Sequence, residues 1–322
     1  MSEHPAEPHR TEHPTEPHRT EHPTEPHPTE AHPTGSHRTA PSSAEAPHAG
    51  PAPDEAPAVA PSAAARRRAV DAPDPDLALV TRGLTKRFGD KTALDGLDLD
   101  VPAGSFYGVV GPNGAGKTTA LSMATGLLRP DLGQAWIHGV DVWAQPLEAK
   151  RRVGVLADGV RTFDRLTGAQ LVTYAGLLHG VDADTVAART EDLLRVMDLA
   201  DAGRKLVVDY SAGMTKKISL AAAMVHAPDV LVLDEPFEAV DPVSAANIRD
   251  ILHDYVGRGG TVIVSSHVMD LVQRMCSHVA VIAGGTLRAA GTLEEVRAGR
   301  DLEDRFVDLV GGRHEQEGLA WL

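Results

Sequence analysis

The pattern of hydrophobic and polar positions divides the chain near residue 76. Before that point apolar side chains are sparse, and after it strand-like and helix-like patterns alternate. Leu77–Thr85 and Ala93–Asp100 carry apolar residues at about every second position, which predicts two half-buried strands. Val230–Leu233 is an unbroken aliphatic run, the pattern of a parallel strand that is buried on both faces. The chain after residue 76 is therefore predicted to have an α/β fold.

The other periodic segments continue this alternation of strands and helices. Thr167 and Gln170 have the spacing of a capping box, which predicts a helix that continues through Leu178. The whole segment from about 145 to 210 has a helical pattern. Further predicted strands are Ser105–Val110, Gly133–Gly139, Thr261–Ser265 and Val279–Ala283, and further predicted helices are Lys117–Leu128, Asp184–Met197, Met214–Ala223, Ala245–Tyr255, His267–Cys276 and Leu293–Val310.

Composition narrows the class of protein. The chain has 322 residues, 42% of them hydrophobic but only 4% aromatic, and a formal net charge of -14. An acidic chain without a basic stripe is a poor match to nucleic acid. The single cysteine, Cys276, fits a reducing compartment. The polar N-terminus does not have the pattern of a secretory leader, and no apolar run approaches the ~18 residues of a membrane span. We therefore expect a soluble, cytoplasmic protein.

Residues 1–75 differ from the rest of the sequence. His4–Glu12 recurs nearly unchanged from His13 and again from His22, and a stretch rich in Ala, Pro and Ser follows. The apolar side chains are too few to offset the entropy of ordering, so we expect a disordered tail. Its histidines recur every four or five residues. Weak binding of divalent metal is the alternative to a purely solvated repeat.

Residues 111–118 have the form G-x-x-x-x-G-K-[ST], the phosphate-binding loop of P-loop NTPases. Its glycines are expected to take φ > 0 and to turn backbone N–H groups towards a phosphate. Lys117 would place a positive charge on the β- and γ-phosphates, and Thr118 a hydroxyl on Mg²⁺. The helix predicted after the loop would point its N-terminus at the anion. The predicted phosphate-binding residues are Gly111, Pro112, Asn113, Gly114, Ala115, Gly116, Lys117, Thr118 and Thr119.

From about Leu77 to Val310 the chain resembles the ATP-binding cassette of ABC transporters, because further motifs follow the phosphate loop in that family's order. Asp234 and Glu235, directly after the aliphatic run, match the family's second acidic motif. The resemblance implies that Asp234 supports Mg²⁺ and that Glu235 orients and polarises the attacking water. Phosphoryl transfer also needs these two functions on physical grounds, a metal to neutralise charge and a base aimed in line.

The same resemblance assigns expected roles to five other positions. Ser211 and Gly213 match the family signature, which in a paired subunit closes over the γ-phosphate. His267 matches the switch histidine that contacts the γ-phosphate, and imidazole can donate to a phosphate oxygen at neutral pH. Asp241 matches the acidic position of the loop that crosses the dimer, and Phe88 the aromatic that stacks on adenine. The expected catalytic residues are Lys117, Glu235 and His267.

Two positions depart from the family pattern. The family's glutamine between the two subdomains falls at Asp158, with Asp164 as a rival for the same position. An aspartate can still approach Mg²⁺ or a water, but it lacks the amide donor and adds a charge. Ala212 stands in the usual glycine pair of the signature, where its methyl restricts φ near the nucleotide. We therefore expect Asp158 beside the metal and altered coupling to the membrane partner.

The resemblance implies a P-loop NTPase cassette at residues 76–310, followed by a short tail at 311–322. The cassette would have a mixed or parallel sheet core, an N-terminal antiparallel β part and a helical subdomain at about 145–225. It implies an ATPase that binds ATP and Mg²⁺ and powers a separate membrane permease, as a homodimer or heterodimer of cassettes on the inner face of the cell membrane. The C-terminal part is more similar to exporter-type cassettes for drug- or lipid-like molecules than to sugar importers.

Two alternatives belong to other classes of protein. A soluble ABC ATPase that acts on ribosomes or DNA usually has twin cassettes or long coiled-coil arms and basic surfaces, which this sequence lacks. A metal-binding protein with a degraded nucleotide fold would use the histidine repeat, but Lys117, Asp234, Glu235 and His267 are intact. A GTPase is disfavoured because no [NT]-K-x-D sequence occurs.

Overall fold

The computed structural model describes residues 74, 76–158, 163 and 165–311. Residues 1–73 of the predicted tail, residues 312–322 and Asp164 lie outside the described part. The predictions of a disordered tail, of metal binding by its histidines and of the domain limits therefore stay predictions.

Four strands form an antiparallel sheet in the order β2–β1–β4–β5. They are β1 (Leu77–Phe88), β2 (Lys91–Pro102), β4 (Leu132–Ile137) and β5 (Val140–Asp141). The first two confirm the strands that the alternating pattern predicts. This sheet is the expected antiparallel β part.

Six strands form a second sheet in the order β10–β9–β3–β8–β7–β6. They are β3 (Phe106–Val110), β6 (Val153–Leu156), β7 (Val230–Asp234), β8 (Thr261–Ser266), β9 (His278–Ala283) and β10 (Thr286–Thr292). The pairs from β6 to β9 are parallel, and β10 is antiparallel to β9. The sheet is therefore mixed, as the fold class requires.

Helices connect and cover these strands. They are α1 (Lys117–Ala124), α2 (Pro146–Arg152), α3 (Gly168–Leu178), α4 (Ala183–Val196), α5 (Ala212–Met224), α6 (Pro242–Gly257), α7 (Met269–Met275), α8 (Leu293–Arg297) and α9 (Leu302–Val310), with 3-10 turns at Ala200–Ala202 and Val207–Asp209. No helix in the described ranges is both long enough and apolar enough to cross a membrane.

Strand β7 separates two apolar cores. Val230 and Val232 pack with α1 and the antiparallel sheet, whereas Leu231 and Leu233 pack on the opposite side with α3, α5 and α6. Successive side chains of a strand point to opposite faces, so an unbroken aliphatic run is needed where both faces are covered. Each fully buried aliphatic side chain contributes roughly 1.5–3 kcal/mol of transfer free energy. All of β7 is buried, which confirms the prediction from its sequence.

Helix α3 begins at the predicted capping box. The Thr167 hydroxyl accepts a hydrogen bond from the Gln170 N–H at 3.2 Å, and the Gln170 side chain accepts from the Thr167 N–H at 2.9 Å. Two of the otherwise unpaired donors at the helix start are thereby satisfied.

Three predicted elements differ from the structure. The segment 145–210 is interrupted by strand β6, which pairs with the edge of β7. The predicted helix Leu293–Val310 is two helices, α8 and α9, because the chain takes φ 50 at Ala298 and φ 76 at Gly299. The helix from Lys117 ends at Ala124 rather than Leu128, since Gly126 adopts φ 79. Left-handed residues of this kind cannot continue a right-handed helix.

Candidate active site

A cavity of about 490 Å³ lies where β3, β7 and β8 end, at the carboxyl edge of the parallel strands. Ligands of open α/β sheets bind at this edge. The loop after β3 and the start of α1 form one wall, and the residues that follow β7 and β8 form another. The cavity is lined by Phe88, Lys91, Ala93, Asn113, Gly114, Ala115, Gly116, Lys117, Thr118, Thr119, Asp158, Glu235, Glu238 and His267.

The first turn of α1 supplies backbone donors to this cavity. Gly116 is the residue before the helix, takes φ 107, and provides no side chain to cap it. The N–H groups of Lys117, Thr118 and Thr119 have no acceptor within the helix. With the partial positive charge of the helix end, they make a site for an anion.

The glycines of the loop are needed for two different reasons. Gly114 and Gly116 have positive φ, as the motif predicts. Gly111 does not, so the expectation of φ > 0 is wrong there. A Cβ on Gly111 would lie 2.2 Å from the carbonyl oxygen of Ile282 in β9. Gly111 is therefore required by the close approach of two backbone segments.

The Lys117 ammonium lies inside the loop. It donates to the Gly111 carbonyl at 2.8 Å and lies 3.6 Å from Oε1 of Glu235. The side chain of Lys117 is only 7% exposed, and that of Glu235 is 14% exposed. Charges withdrawn from water to this degree interact more strongly than surface charges.

Asp234 is the last residue of β7 and is buried beneath the cavity, although it is not among the lining residues. Its Oδ1 accepts a short hydrogen bond from the Ser265 hydroxyl. Its Oδ2 is buried and has no hydrogen-bond partner among the described residues. Burying a carboxylate oxygen without a partner costs desolvation free energy unless a bound cation compensates for the lost water. Together with the Thr118 hydroxyl, it is the kind of hard oxygen donor that Mg²⁺ prefers, so the residues fit that ion.

Both carboxylate oxygens of Glu235 have partners. Its Oε1 faces Lys117, and its Oε2 lies 3.1 Å from Nδ1 of His267. The backbone of Glu235 takes φ 45, which is unusual for a residue with a side chain. Uncommon backbone conformations of this kind cluster at functional sites.

Phe88, Asp158 and His267 reach the same cavity from three other elements. Phe88 ends β1, is 52% exposed, and has the Lys86 ammonium 5.8 Å from its ring centroid. His267 follows β8 and Asp158 follows β6; both side chains are about half exposed, at 44% and 48%. The phosphate loop, Glu235 and these three residues therefore converge on one cavity although they are far apart in the chain.

Ser211, Gly213 and Asp241 are not among the residues that line this cavity. Ser211 precedes α5 and accepts from the Met214 N–H at 3.3 Å. Asp241 precedes α6, and its hydrogen bonds from the backbone and side chain of Ser244 lower its pKa. A Cβ on Gly213 would lie 3.0 Å from an oxygen of Asp241. These residues form a second cluster, at the adjacent N-termini of α5 and α6.

No role at this cavity was predicted for three of its lining residues, Lys91, Ala93 and Glu238, although Glu238 begins the stretch matched to the loop that crosses the dimer. Lys216, which contacts Glu235 and Asp158, was not predicted either. The signal for Lys216 was present in the sequence as a basic residue on the helix that begins after Ser211. It could be interpreted only once the fold had brought that helix beside β7.

Comparison with known proteins identifies the family. Residues 94–238 match the profile of the family described as "ABC transporter". Daunorubicin resistance ATP-binding protein DrrA3 of Streptomyces coeruleorubidus is 40% identical over 223 residues, which are 69% of this chain and 71% of that protein. Nod factor export ATP-binding protein I of Burkholderia lata is 38% identical over 214 residues, 65% of this chain and 69% of that protein.

A solved structure of the ATP-binding subunit of an ABC transporter superposes with a TM-score of 0.67 at 24% identity, covering 72% of this chain and 98% of that one. At this identity the likeness establishes the fold. The extent and identity of the match to the daunorubicin resistance protein establish more: this chain belongs to the ABC transporter family of ATP-binding proteins, and it binds and hydrolyses ATP.

Proposed function

We propose that this chain is the ATPase subunit of an export system, that it powers a separate membrane permease, and that it works as a dimer of cassettes. The observation that carries the proposal is the separation of its two clusters. The phosphate loop, Glu235 and His267 line one cavity, whereas Ser211 and Asp241 lie outside it. A second chain placed head to tail would bring its Ser211 cluster over the first chain's cavity.

In this proposal the residues of the loop bind the phosphates. Lys117 and the N–H groups of Gly116–Thr119 hold the β- and γ-phosphates through charge-assisted hydrogen bonds. Thr118, Asp234 and Asp158 would hold Mg²⁺, which supplies neutralisation of phosphate charge. Phe88 offers the outer face of its ring to adenine.

Glu235 would act as the base. Its side chain lies between Lys117 and His267, so its position is fixed before a water molecule binds. A carboxylate held in place avoids the cost of reorganisation when the proton moves. His267 orients Glu235 and can donate to the γ-phosphate. The signature residues Ser211 and Gly213 of the second chain would close the site, and Asp241 would lie in the loop that crosses between the two chains.

The names of the relatives support export by a two-part system. One is described by resistance to daunorubicin and one by export of Nod factor. We infer a drug- or lipid-like transported molecule and a location on the inner face of the membrane through the permease. We take residues 76–310 as the ATP-binding domain, with its helical subdomain at about 145–225.

The substitution Glu235→Gln tests the proposed base. It keeps the size and the hydrogen-bonding reach of the side chain, so the dissociation constant for ATP should not change. The turnover number should fall by about 10²–10⁴-fold, the usual contribution of a general base. ATP should then hold a dimer together, which light scattering with and without ATP would detect.

Glu191→Gln is the matched control, because Glu191 on α4 is 82% exposed and is not among the cavity-lining residues. It should hydrolyse ATP at the wild-type rate. Undiminished hydrolysis by Glu235→Gln would show that another group activates the water.

A further inference from the structure

The backbone of Glu235 is held in an unfavourable conformation by its neighbours. Its φ of 45 lies in the left-handed region, where the Cβ of an L-residue crowds the following carbonyl. Such a conformation persists only where surrounding contacts over-determine it. The contacts that hold this peptide therefore set where the Glu235 carboxylate lies.

Two side chains hold the backbone of Glu235. The Ser265 hydroxyl accepts from the Glu235 N–H at 2.9 Å. The Glu235 carbonyl accepts from the Lys216 ammonium at 3.1 Å and also from the Glu238 backbone N–H at 3.2 Å. Ser265 lies on β8, the neighbouring strand, whereas Lys216 lies on α5, the helix that begins after Ser211.

Lys216 is itself held by a residue of the cavity wall. Its Nζ lies 3.5 Å from Oδ1 of Asp158, which follows β6. The side chain of Lys216 is 19% exposed, so its charge is largely withdrawn from water. An ammonium in this position is favoured by a carboxylate and a carbonyl together. It also offsets part of the negative charge that Asp158 brings to the cavity, and the contact involves only one of the two carboxylate oxygens of Asp158.

We propose that Lys216 is a positioning residue for hydrolysis: it fixes the Glu235 peptide in its left-handed conformation, and Asp158 holds Lys216 in place. Helix α5, which begins directly after the signature residue Ser211, is thereby connected to the proposed base through the side chain of Lys216. This inference rests on the proposed role of Glu235. It assigns to Lys216 no contact with ATP, because Lys216 is not among the cavity-lining residues.

The test is steady-state ATP hydrolysis by the full-length protein carrying Lys216→Met, which keeps the length of the stem and removes the donor. The turnover number should fall about 10-fold or more, since a small misplacement of a reacting group can cost up to about 10²-fold. The KM for ATP should stay within about threefold of wild type, because an interaction that acts only on the chemical step lowers kcat alone. Lys205→Met is the matched control: Lys205 is exposed and does not line the cavity, and its loss should change neither constant.

A structural defect and a positioning defect are separated by a double-mutant cycle with Glu235→Gln, measured in single-turnover experiments. If Lys216 acts through Glu235, adding Lys216→Met to Glu235→Gln should lower the residual rate no further. Thermal unfolding of each variant reports its folding. If Lys216→Met does not fold, Lys216→Gln takes its place. Its side chain stays polar, but its amide ends about one bond short of the ammonium position, so the same loss of turnover is expected.

The outcomes separate this inference from the proposed base. Full turnover by Glu235→Gln would overturn the role of Glu235. If Glu235→Gln stalls, the inference about Lys216 is overturned by any of three results: wild-type turnover in Lys216→Met, a raised KM with unchanged kcat, or an equal loss of rate in the Glu235→Gln background.

Discussion

Gly111 and Gly114 stand in one loop, yet a side chain would be harmful at each for a different reason. At Gly114 only the backbone angle is at stake, because a Cβ added there would have nothing within 4 Å, whereas at Gly111 a Cβ would meet the Ile282 carbonyl at 2.2 Å. A clash with backbone cannot be relieved by a change of rotamer. The loop and strand β9 would have to move apart, and the phosphate-binding amides would move with the loop.

Gly111→Ala should therefore lower stability by about 3 kcal/mol, the upper part of the range for overpacking. Thermal or denaturant unfolding would measure the change. Gly257→Ala is the control, because Gly257 ends α6 with open space around it and no positive φ. Alanine is the better helix former by about 1 kcal/mol, so this variant should be neutral or slightly more stable. Equal melting temperatures for Gly111→Ala and wild type would contradict the argument.

At this scale the sequence predicts local chemistry better than contacts between distant segments. The phosphate loop is a single stretch, so its residues could be named from their spacing. The contact of Lys216 with Asp158 and Glu235 depends on three elements that meet only in the folded chain. No spacing in the sequence encodes that meeting.

Whole elements were predicted where one pattern dominated. Strand β7 is buried on both faces and reads as an aliphatic run, but β6 and β10 gave weaker signals. Strand β6 has only four residues, and Gly154 within it leaves space for the Ala223 carbonyl, which a Cβ would approach to 2.1 Å. Strand β10 is largely half-exposed and has no clear alternation. Short or half-exposed strands are specified by their partners more than by their own residues.

Helices α3 and α5 meet near their C-terminal ends through two stacked histidines. The rings of His179 and His226 are 3.7 Å apart and nearly parallel, and Nε2 of His226 lies 3.2 Å from the Val153 carbonyl. Burial, followed by the neighbouring His179 and by Arg189, lowers the pKa of His226 to about 4. Burial and Lys150 also lower the pKa of His179.

The stability of the folded protein should depend on pH through His226. The unfolded chain protonates His226 below its ordinary pKa of about 6.5, whereas the folded chain keeps it neutral down to about pH 4. The stability that neutral His226 contributes to the folded protein is therefore fully present above pH 6.5 and is lost as the pH falls towards 4. His226→Phe keeps a neutral ring and removes this titration. Between pH 7.5 and 5.0 the full shift would correspond to about 2 kcal/mol, and the partial exposure of His226 reduces this to about 1 kcal/mol. The wild type should therefore lose about 2–4 °C more in Tm than His226→Phe; equal losses would show that the stack does not titrate in this window.

On the scale of the whole molecule, the two clusters of candidate residues do not line the same cavity. The cavity holds the phosphate loop and Glu235, and the N-termini of α5 and α6 hold Ser211 and Asp241. Helix α5 has no acidic residue in its first turn, so its N-terminus is favourable to an anion. The proposed dimer would use the Ser211 cluster of one copy as the lid of the other copy's cavity. In two copies related by a twofold axis, both cavities would be completed in the same way at once.

A mixing experiment tests that arrangement. Lys117→Ala removes the phosphate ligand, and Ser211→Arg places a bulky side chain at the start of α5, so each variant alone should be inactive. In a mixed dimer, one site combines the intact Ser211 of the first chain with the intact Lys117 of the second, while the other site carries both defects. Random pairing of equal amounts makes about half of the dimers mixed, each with one good site, so about a quarter of the wild-type ATPase activity should return. Mixing Lys117→Ala with a chain that carries both substitutions is the control and should restore nothing, because no intact phosphate loop is present. If the first mixture is no more active than its separate components, each site is complete within one chain.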